Sequence, residues 1–299
     1  MKPIWKYFFG LLILVTVVVW LAVIVGSDSN LHIIACDVGQ GDAILLQNAS
    51  SQILVDGGPG NKVLDCLSRY MPFWDRTLEV VVMTHPQSDH YGGLIEVFRR
   101  YNVGIFLAPS VDNSTQGYQV LKDLVKASQA QIVNPQRGMK MRLGEIQLDI
   151  LNPTAELQDE EPGTVGKNRL GAFSPKRDLN DFSVVFNLSY GSFDALFTGD
   201  IGPEISDQMA KQLALSDSRR VEYIKVPHHG SRNGLTGELL DVTSPEVAVI
   251  SVGKDNTYGH PHEETLKILR DEDIKILRTD EMGSVEVVTD GEKWWVVGK

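Results

Sequence analysis

Residues 84–93, with the sequence THPQSDHYGG, place two histidines and an aspartate directly after an apolar run. That run, residues 80–83, has the length and composition of a short buried strand. Side chains that follow the carboxyl end of such a strand lie in loops that converge on a crevice, and imidazole with carboxylate is a donor set that divalent metals accept. The spacing of His85, Asp89 and His90 therefore predicts a metal-binding loop, and a polar loop with capping histidines is the simpler alternative.

Three further apolar segments also end in residue types that bind metals. The candidate ligands after these segments are Asp200, the adjacent pair His228 and His229, and the pair His260 and His262. Six of the seven histidines lie in these strand-end loops, whereas His32 lies within a strand pattern and is interpreted as structural. Because a catalytic site combines imidazole and carboxylate donors with a free position for water, this concentration predicts metal-dependent chemistry.

The two histidine pairs are expected to divide their roles. If residues 228 and 229 are extended, their side chains point to opposite faces, so one would bind the metal and the other would contact the substrate or the transition state. We expect His229 to be the ligand and His228 its partner, and the reverse assignment stays open. His260 and His262, separated by Pro261, are expected to bind a substrate phosphate or to transfer a proton. The alternative for this second pair is a structural role at the start of a helix.

The segments that must position these residues alternate between strand and helix patterns after residue 30, which predicts an α/β fold. Asp56 follows the strand pattern of residues 53–55, and we expect its carboxylate to hydrogen-bond a ligand imidazole and hold its tautomer. Residues 37–42 (DVGQGD) form a tight loop that leads into a strand rather than a helix, so they do not predict a phosphate loop. Residues 154–179 interrupt the alternation and predict a long mobile loop.

The N-terminal segment is expected to cross a membrane once. Residues 8–25 contain no charged residue, and a run of 18 residues can just span a bilayer as a helix. Lys2 and Lys6 precede the run, so the positive-inside bias predicts a cytoplasmic N-terminus and a catalytic domain outside. We therefore divide the chain into a membrane anchor, residues 1–30, and a domain that carries the predicted metal site, residues 31–299. A cleaved signal peptide is the alternative.

The composition is that of a globular protein with an acidic surface. The chain has 299 residues, 42% hydrophobic and 22% charged, and a formal net charge of −11. Such a balance does not indicate the basic face typical of nucleic-acid binding, and it suits a protein that holds multivalent cations. Cys36 and Cys66 lack the CxxC spacing of a zinc or redox site, and we expect both to be small buried residues.

Seven motifs along the chain resemble those of a known family. In order they are DVGQGDA, VDGG, THPQSDHYGG, NDFSVV, FTGD, VPHHGS and YGHPH. Together they resemble the metallo-β-lactamase fold, and more narrowly the hydrolase domain of ComEC-type competence proteins. The resemblance implies an αββα sandwich with a metal site along one sheet edge. It also implies a phosphodiesterase that degrades one strand of incoming DNA.

The resemblance further implies roles for single residues. The family's second metal position corresponds to Asp89, His90, Asp200 and one histidine of the VPHHGS motif, and Asp200 would bridge two metals. His85 is present for the first metal position, but Gln87 stands where the family motif has a histidine or an aspartate. Because an amide oxygen is a weak ligand, either one or two divalent ions, Zn²⁺ or Mn²⁺, are compatible with this set.

The resulting hypothesis is a membrane-anchored, extracytoplasmic phosphodiesterase, a DNA nuclease for single-stranded DNA in competence and DNA uptake. The NDFSVV motif places Asn180 at the lip of the site, where its amide could donate to a substrate oxygen or cap a strand. With one candidate span, transport would require a separate channel protein. Hydrolysis of a small envelope or nucleotide phosphodiester is a second hypothesis, favoured by the acidic composition. A non-catalytic DNA-binding or assembly module is a third, favoured by Gln87.

Overall fold

The strands pair into two β-sheets, and the central strands are apolar on both faces. A computed structural model describes residues 4–25, 28–155, 157, 168–215 and 220–298. The first sheet contains, in spatial order, β15 (Trp294–Val296), β14 (Val285–Thr289), β1 (Leu31–Ala35), β2 (Ile44–Asn48), β3 (Ser51–Val55), β4 (Thr77–Val82), β5 (Asn102–Leu107) and β6 (Gln131–Val133). The second contains β13 (Lys275–Arg278), β12 (Val247–Ile250), β11 (Tyr223–Lys225), β10 (Phe193–Phe197), β9 (Val185–Tyr190), β8 (Ile146–Asn152) and β7 (Lys140–Leu143).

Helices cover the outer face of each sheet. Beside the first sheet lie α2 (Lys62–Tyr70), α3 (Ser88–Tyr91), α4 (Leu94–Arg100) and α5 (Gln116–Ala127). Beside the second lie α6 (Pro203–Ala214), α7 (Gly237–Thr243) and α8 (Glu263–Asp271), and the short α9 (Thr279–Met282) follows β13. The order helix, sheet, sheet, helix is the αββα sandwich that the family resemblance implies, so this prediction is confirmed.

The alternation of side chains along β1 explains why four of its five residues are apolar, with His32 as the exception. Leu31, Ile33 and Ala35 pack into the core between the two sheets, whereas Ile34 packs with the helices of the outer layer. A strand that is covered on both faces favours apolar residues on both faces, which distinguishes it from a half-exposed strand with a polar face.

Parallel pairing brings the loops that follow several strands to one edge of the sandwich. In the first sheet, β3 is parallel to β4, and β4 is parallel to β5. In the second sheet, β10, β11 and β12 are parallel. The residues after β3, β4, β10 and β11 include most of the predicted site residues, so the topology gathers them where the carboxyl ends of the strands meet.

The N-terminal helix, α1 (Ile4–Val25), precedes the sandwich. Its described side chains are exposed, and the three hydrophobic clusters are formed by residues after residue 30. Among the described residues, no helix combines the length and the apolar character that a membrane span requires. The division of the chain at residues 30 and 31 stays a prediction.

The two cysteines form a disulfide, which corrects the expectation of two separate buried residues. Cys36 follows β1 and Cys66 lies in α2, and their Cα atoms are 5.9 Å apart. The two residues are separated by 30 positions in the chain. Because pairing depends on the distance between Cα atoms in the folded protein, a single pair of cysteines far apart in sequence does not reveal it.

Part of the polar segment at residues 154–179 is attached to the body. Phe173 is buried and packs against Phe182 with ring centroids 5.9 Å apart, and its carbonyl accepts a hydrogen bond from the N–H of Asp112 at 2.6 Å. Residues 156 and 158–167 of the predicted mobile loop lie outside the described residues.

Candidate metal centre

Four side chains from three loops converge at the sheet edge. They are Asp89, His90, Asp200 and His229, and each offers a ligand atom within 4.8 Å of the others. Asp200 Oδ2 lies 3.2 Å from His90 Nε2 and 3.1 Å from His229 Nε2. Asp89 Oδ2 lies 3.5 Å from His229 Nε2. Asp89 is half-buried and the other three are buried, so the cluster has one open side.

The backbone after β4 positions the first two members of this cluster. Helix α3 begins at Ser88, and its single turn places Asp89 and His90 beside each other. The DVGQGD loop, between β1 and β2, packs directly on this turn at Gly41. A Cβ atom at Gly41 would lie 2.2 Å from the carbonyl oxygen of Asp89. Gly41 also has φ +139°, which L side chains rarely adopt. A glycine is therefore required for the DVGQGD loop to support the ligand turn.

The segment with the two adjacent histidines is not extended, so the basis of the sequence argument was wrong. His228 has φ 52° and His229 has φ 54°, which place both in the left-handed region within the turn Pro227–Gly230. Two successive non-glycine residues in this region carry backbone strain, a feature that clusters at functional sites. The turn directs His229 into the cluster, while His228 is only half-buried and lines the neighbouring cavity.

Hydrogen bonds orient both histidines of the cluster. His229 Nδ1 lies 2.9 Å from the carbonyl oxygen of Ser251, so Nδ1 is the donor in the neutral ring and Nε2 faces the carboxylates. His90 Nδ1 lies 2.8 Å from Asp56 Oδ2. Asp56 in turn accepts hydrogen bonds from the backbone N–H and the hydroxyl of Thr84, both at 2.7 Å. Asp56 therefore occupies a position that holds the His90 imidazole in one tautomer.

Two charged residues behind the cluster were missed by the sequence analysis. Lys225 is 1% exposed, and its ammonium contacts Asp42, Asp200 Oδ1 at 3.3 Å and the Gly199 carbonyl oxygen at 2.9 Å. Asp42 Oδ1 also lies 3.3 Å from His229 Nδ1. A signal for Lys225 was present, because a lysine within an apolar strand pattern is almost never buried without a partner.

The pKa shifts reflect the density of charge in this centre. Burial opposes the charged carboxylate of Asp200, but the two neighbouring histidines and Lys225 outweigh burial and hold the pKa of Asp200 well below its ordinary value. Burial similarly opposes the imidazolium form of His90, yet Asp200 and Asp56 raise the pKa of His90 well above its ordinary value. The ionised carboxylates of the centre are thus stabilised by nearby positive charge.

The residues present fit a divalent cation. Asp89 and Asp200 share one group of converging ligand atoms with His90, Asp42 and Asp56 share a second group with the same histidine, and the buried ammonium of Lys225 contacts Asp42 and Asp200. The Nε2 atom of His229 is buried and has no hydrogen-bond partner among the described residues, so a lone pair is directed into the cluster. Two imidazoles and two carboxylates with one open side form a donor set suited to one or two divalent metal ions.

His85 and Gln87 do not join the four converging side chains. His85 is buried beside His90, with ring centroids 4.1 Å apart, and burial together with the charge of His90 lowers the pKa of His85 to about 3. No described residue forms a hydrogen bond with its Nε2 atom. Gln87 lines the cavity, and its amide Nε2 donates to Asn180 Oδ1 at 2.9 Å. Asn180 therefore contacts the site through Gln87.

A cavity of about 270 Å³ opens beside the metal cluster. Asp89, Asp200 and His229 form part of its wall, and the imidazoles of His228 and His260 form another part. Burial, followed by the charge of His229, lowers the pKa of His260 to about 4, so this imidazole is neutral near pH 7. The cavity therefore places neutral imidazoles next to the acidic donors.

The sequence model of the Metallo-beta-lactamase superfamily matches residues 36–254. The chain belongs to this superfamily. The match spans the DVGQGD loop, the ligand turn and the histidine pair of residues 228 and 229. Superfamily membership and the histidine–aspartate cluster together identify a metal-dependent hydrolase.

Curated relatives of this superfamily member are competence proteins. ComE operon protein 3 of Bacillus subtilis is 24% identical over 274 residues, which cover 84% of this chain and 32% of that protein. Competence protein ComA of Neisseria gonorrhoeae is 24% identical over 254 residues, which cover 84% of this chain and 31% of the relative. The matched part thus spans about a third of each relative's length. The resemblance to ComEC-type proteins is confirmed.

A solved structure supports the fold of this superfamily member. The metal-dependent hydrolase Tm1679 of the beta-lactamase superfamily superposes with a TM-score of 0.52 at 14% identity. The superposition covers 90% of this chain and 100% of that structure. At this identity the likeness establishes the shared fold and not the substrate.

His262 lies apart from the cavity in this superfamily member. It is not among the described residues that line the cavity, and its Nδ1 accepts a hydrogen bond from the backbone N–H of Arg232 at 3.2 Å. His262 also directly precedes α8, and its own N–H donates to the carbonyl of Gly230 at 2.9 Å. These contacts agree with the structural alternative that the sequence left open for this residue, whereas His260 reaches the cavity.

Proposed function

We propose that this chain is a metal-dependent phosphodiesterase that cleaves single-stranded DNA outside the cytoplasm during DNA uptake. The observation that carries the proposal is the convergence of Asp89, His90, Asp200 and His229 beside an open cavity. The competence relatives, at 24% identity, support a substrate that enters the cell as DNA. The matched part is a third of their length, so the activity of the whole relatives does not transfer by itself.

The four converging residues would hold one ion firmly. A divalent cation in this position, Zn²⁺ or Mn²⁺, would supply Lewis-acid activation of water and positive charge opposite the phosphodiester. Asp56 keeps His90 in the tautomer that presents Nε2, and the Ser251 carbonyl does the same for His229. We propose that a second ion at His85 is held weakly, because the neutral amide oxygen of Gln87 is a weak ligand.

Two imidazoles on the cavity wall are suited to the phosphodiester itself. His228 Nδ1 is buried and makes no hydrogen bond within the part of the chain that the structure describes, so it can bond a substrate oxygen. Gln40 Nε2 lies 3.5 Å from His260 Nδ1, and since this amide nitrogen can only donate, the proton of the neutral His260 ring lies on Nε2. Such donors stabilise negative charge that develops on phosphoryl oxygens. We therefore assign charge stabilisation or proton transfer to His228 and His260.

We further propose that residues 8–25 anchor the chain in the membrane, with the N-terminus in the cytoplasm and the sandwich outside. The uncharged run of residues 8–25 and the lysines that precede it support the anchor. The Cys36–Cys66 disulfide supports the outside location, because disulfides persist in oxidising compartments. Under this proposal a separate channel protein carries the strand across the membrane.

The test uses the full chain purified in detergent. Bound metal is measured first, and cleavage of a single-stranded oligonucleotide is then followed with Mn²⁺ and with Zn²⁺. We expect metal-dependent cleavage that chelation abolishes. Absence of bound metal would overturn the proposal, and binding of DNA without cleavage would indicate the non-catalytic module instead.

A small phosphodiester is the second candidate substrate. The net charge of −11 disfavours approach of a long polyanion, and a cavity of about 270 Å³ is close to the lower end of small-molecule sites. The same assay with small nucleotide and envelope phosphodiesters separates the two. Turnover of the small esters alone would mean that they, and not DNA, are the substrate. The proposed metal site would be unaffected by that result.

A further inference from the structure

Tyr258 is a large aromatic residue that is 65% exposed at the lip of the cavity. Its ring stacks on the ring of His260, with centroids 5.7 Å apart and an interplanar angle of 24°. His260 in turn lies 6.5 Å from His229 and 5.8 Å from His228 between ring centroids. A continuous series of rings therefore leads from the metal cluster to an exposed aromatic face.

The backbone holds this pair of rings in place before any ligand arrives. Asn256 Oδ1 accepts hydrogen bonds from the N–H groups of Tyr258 at 3.2 Å and of His260 at 3.0 Å. Asn256 Nδ2 donates to the carbonyls of Gly253 at 2.8 Å and of His260 at 2.7 Å. Because the loop is already ordered, binding on the exposed face of Tyr258 costs little conformational entropy.

The chemistry of this face fits a nucleobase. Bases stack on aromatic side chains in single-stranded nucleic acids, and the interaction tolerates any sequence because every base has a π-face. In a duplex the bases are stacked on each other, so an external ring can reach them only in a single strand. A strand whose phosphate lies at the metal cluster would bring a neighbouring base to Tyr258.

An exposed aromatic residue alone does not indicate a ligand, and Trp74 provides the contrast. Trp74 is 72% exposed, but it precedes β4, whereas the site residues follow β4, so it lies at the opposite edge of the sheet. It contacts Phe73 edge to face, with ring centroids 4.8 Å apart; Phe73 is also exposed, and neither ring is among the described residues that line the cavity. Tyr258 differs because it joins the wall that includes Asp200 and His229.

We propose that Tyr258, supported by His260, is a stacking site for a base next to the scissile phosphate of single-stranded DNA. The inference rests on the proposed function, since the phosphodiester of the same strand must occupy the metal cluster. The site confers preference for a strand that carries bases over a bare sugar-phosphate chain, without preference among bases.

The test measures binding by fluorescence anisotropy with the full chain in detergent and Mn²⁺. One probe is a thymidine oligonucleotide with phosphorothioate linkages that slow cleavage, and the other has the same backbone with abasic positions throughout. We expect the wild-type protein to bind the thymidine strand about tenfold more tightly. Tyr258→Ala should remove this preference while leaving affinity for the abasic strand unchanged, and Tyr258→Phe should retain it. Trp74→Ala is the matched control and should behave as the wild type.

The outcomes separate this inference from the proposed function. If the wild type binds both strands and Tyr258→Ala keeps the preference, the stacking site is wrong while the phosphodiesterase proposal stands. Equal binding of both strands by the wild type would have the same consequence. If the wild type binds neither strand in the presence of Mn²⁺, the DNA substrate fails and the stacking site fails with it. A thermal unfolding curve equal to that of the wild type establishes that Tyr258→Ala is folded.

Discussion

The two halves of the THPQSDHYGG loop have very different surroundings, although they follow the same strand. Asp89 and His90 meet Asp200 and His229, which come from the second sheet, and form a cluster with ligand atoms within 4.8 Å of one another. His85, in contrast, contacts the Thr84 hydroxyl at 3.1 Å and the ring of His90, and Gln87 bonds to Asn180. Metal-ligand spacing within one loop is therefore insufficient, and donors from a second element decide which half can hold an ion.

The largest expected effect is at Asp200, which joins both sheets. Asp200→Ala removes the carboxylate that lies 3.2 Å from His90 Nε2 and 3.1 Å from His229 Nε2. We expect metal affinity to fall by more than about a hundredfold, which is the most that loss of an outer partner of a metal ligand costs. Calorimetric titration with Mn²⁺ measures the change, with exposed Asp241→Asn as the control. Unchanged affinity would mean that Asp200, which follows a strand of the second sheet, does not bind the metal.

Lys225 is expected to matter for stability as well as for the site. Lys225→Met leaves Asp42 and Asp200 buried without their common cation, and breaking a buried charge pair costs about 3–5 kcal/mol. Urea unfolding of the chelator-treated protein measures this loss, and added Mn²⁺ should restore part of it because a cation again neutralises Asp200. A loss below about 1 kcal/mol, typical of exposed pairs, would contradict the role of this ammonium.

A substitution at Asp56 tests the hydrogen bond that orients His90, in the half of the loop that joins the metal cluster, and not the metal ligands themselves. Asp56→Asn keeps the shape of the side chain but weakens the hydrogen bond to His90 Nδ1, so we expect metal affinity to fall by about 10- to 100-fold. The same titration measures it. A decrease as large as that of Asp200→Ala would mean that Asp56 is itself a ligand, which is geometrically allowed because Asp42, Asp56 and His90 offer ligand atoms within 4.8 Å of one another.

Metal affinity should fall least after substitution in the other half of the loop, which contains His85 and Gln87. His85→Gln is expected to lower metal affinity by less than about tenfold, below the range for a carboxylate that orients a ligand. The amount of metal bound per chain should stay the same as in the wild type, as measured by elemental analysis. Loss of one bound ion per chain in this variant would instead make His85 a true ligand and erase the contrast between the two halves of the loop.

Substitution of His32 is expected to have the smallest effect, a change in the free energy of unfolding. His32 is partly exposed and so contrasts with the buried histidines of the metal cluster. A hydrogen bond to Glu286 raises the pKa of His32, partial burial opposes it, and Asp28 adds to the rise. The protonated form is therefore favoured on folding. Its stabilisation is fully present below the ordinary pKa of about 6.5 and is lost as the pH rises through the raised value.

The pair is partly exposed, so we expect less than about 1 kcal/mol. Urea unfolding at about pH 5.5 and about pH 8.5, either side of the ordinary histidine pKa, measures it. The difference between wild type and His32→Gln should shrink at the higher pH. A difference that grows with pH would reverse the assigned sign.

Much of the fold and the donor types were predictable from local pattern. Continuous apolar runs predicted buried strands, and the polar residues after them predicted where loops meet, because parallel strands direct their carboxyl ends to one edge. The order of the seven motifs predicted the αββα sandwich through resemblance. The choice between His228 and His229 was less secure, since it assumed an extended backbone that the left-handed turn replaces.

The opening loop alone therefore determined that imidazole and carboxylate donors follow a buried strand. Only the tertiary structure decided that Asp89 and His90 meet Asp200 and His229, that Lys225 and Asp42 support them, and that Cys36 pairs with Cys66. The physical reason is the distance along the chain between the residues that interact. Strand and helix patterns arise from neighbouring residues, whereas a cluster of charges or a disulfide depends on distances between segments that only the packing of the two sheets brings together.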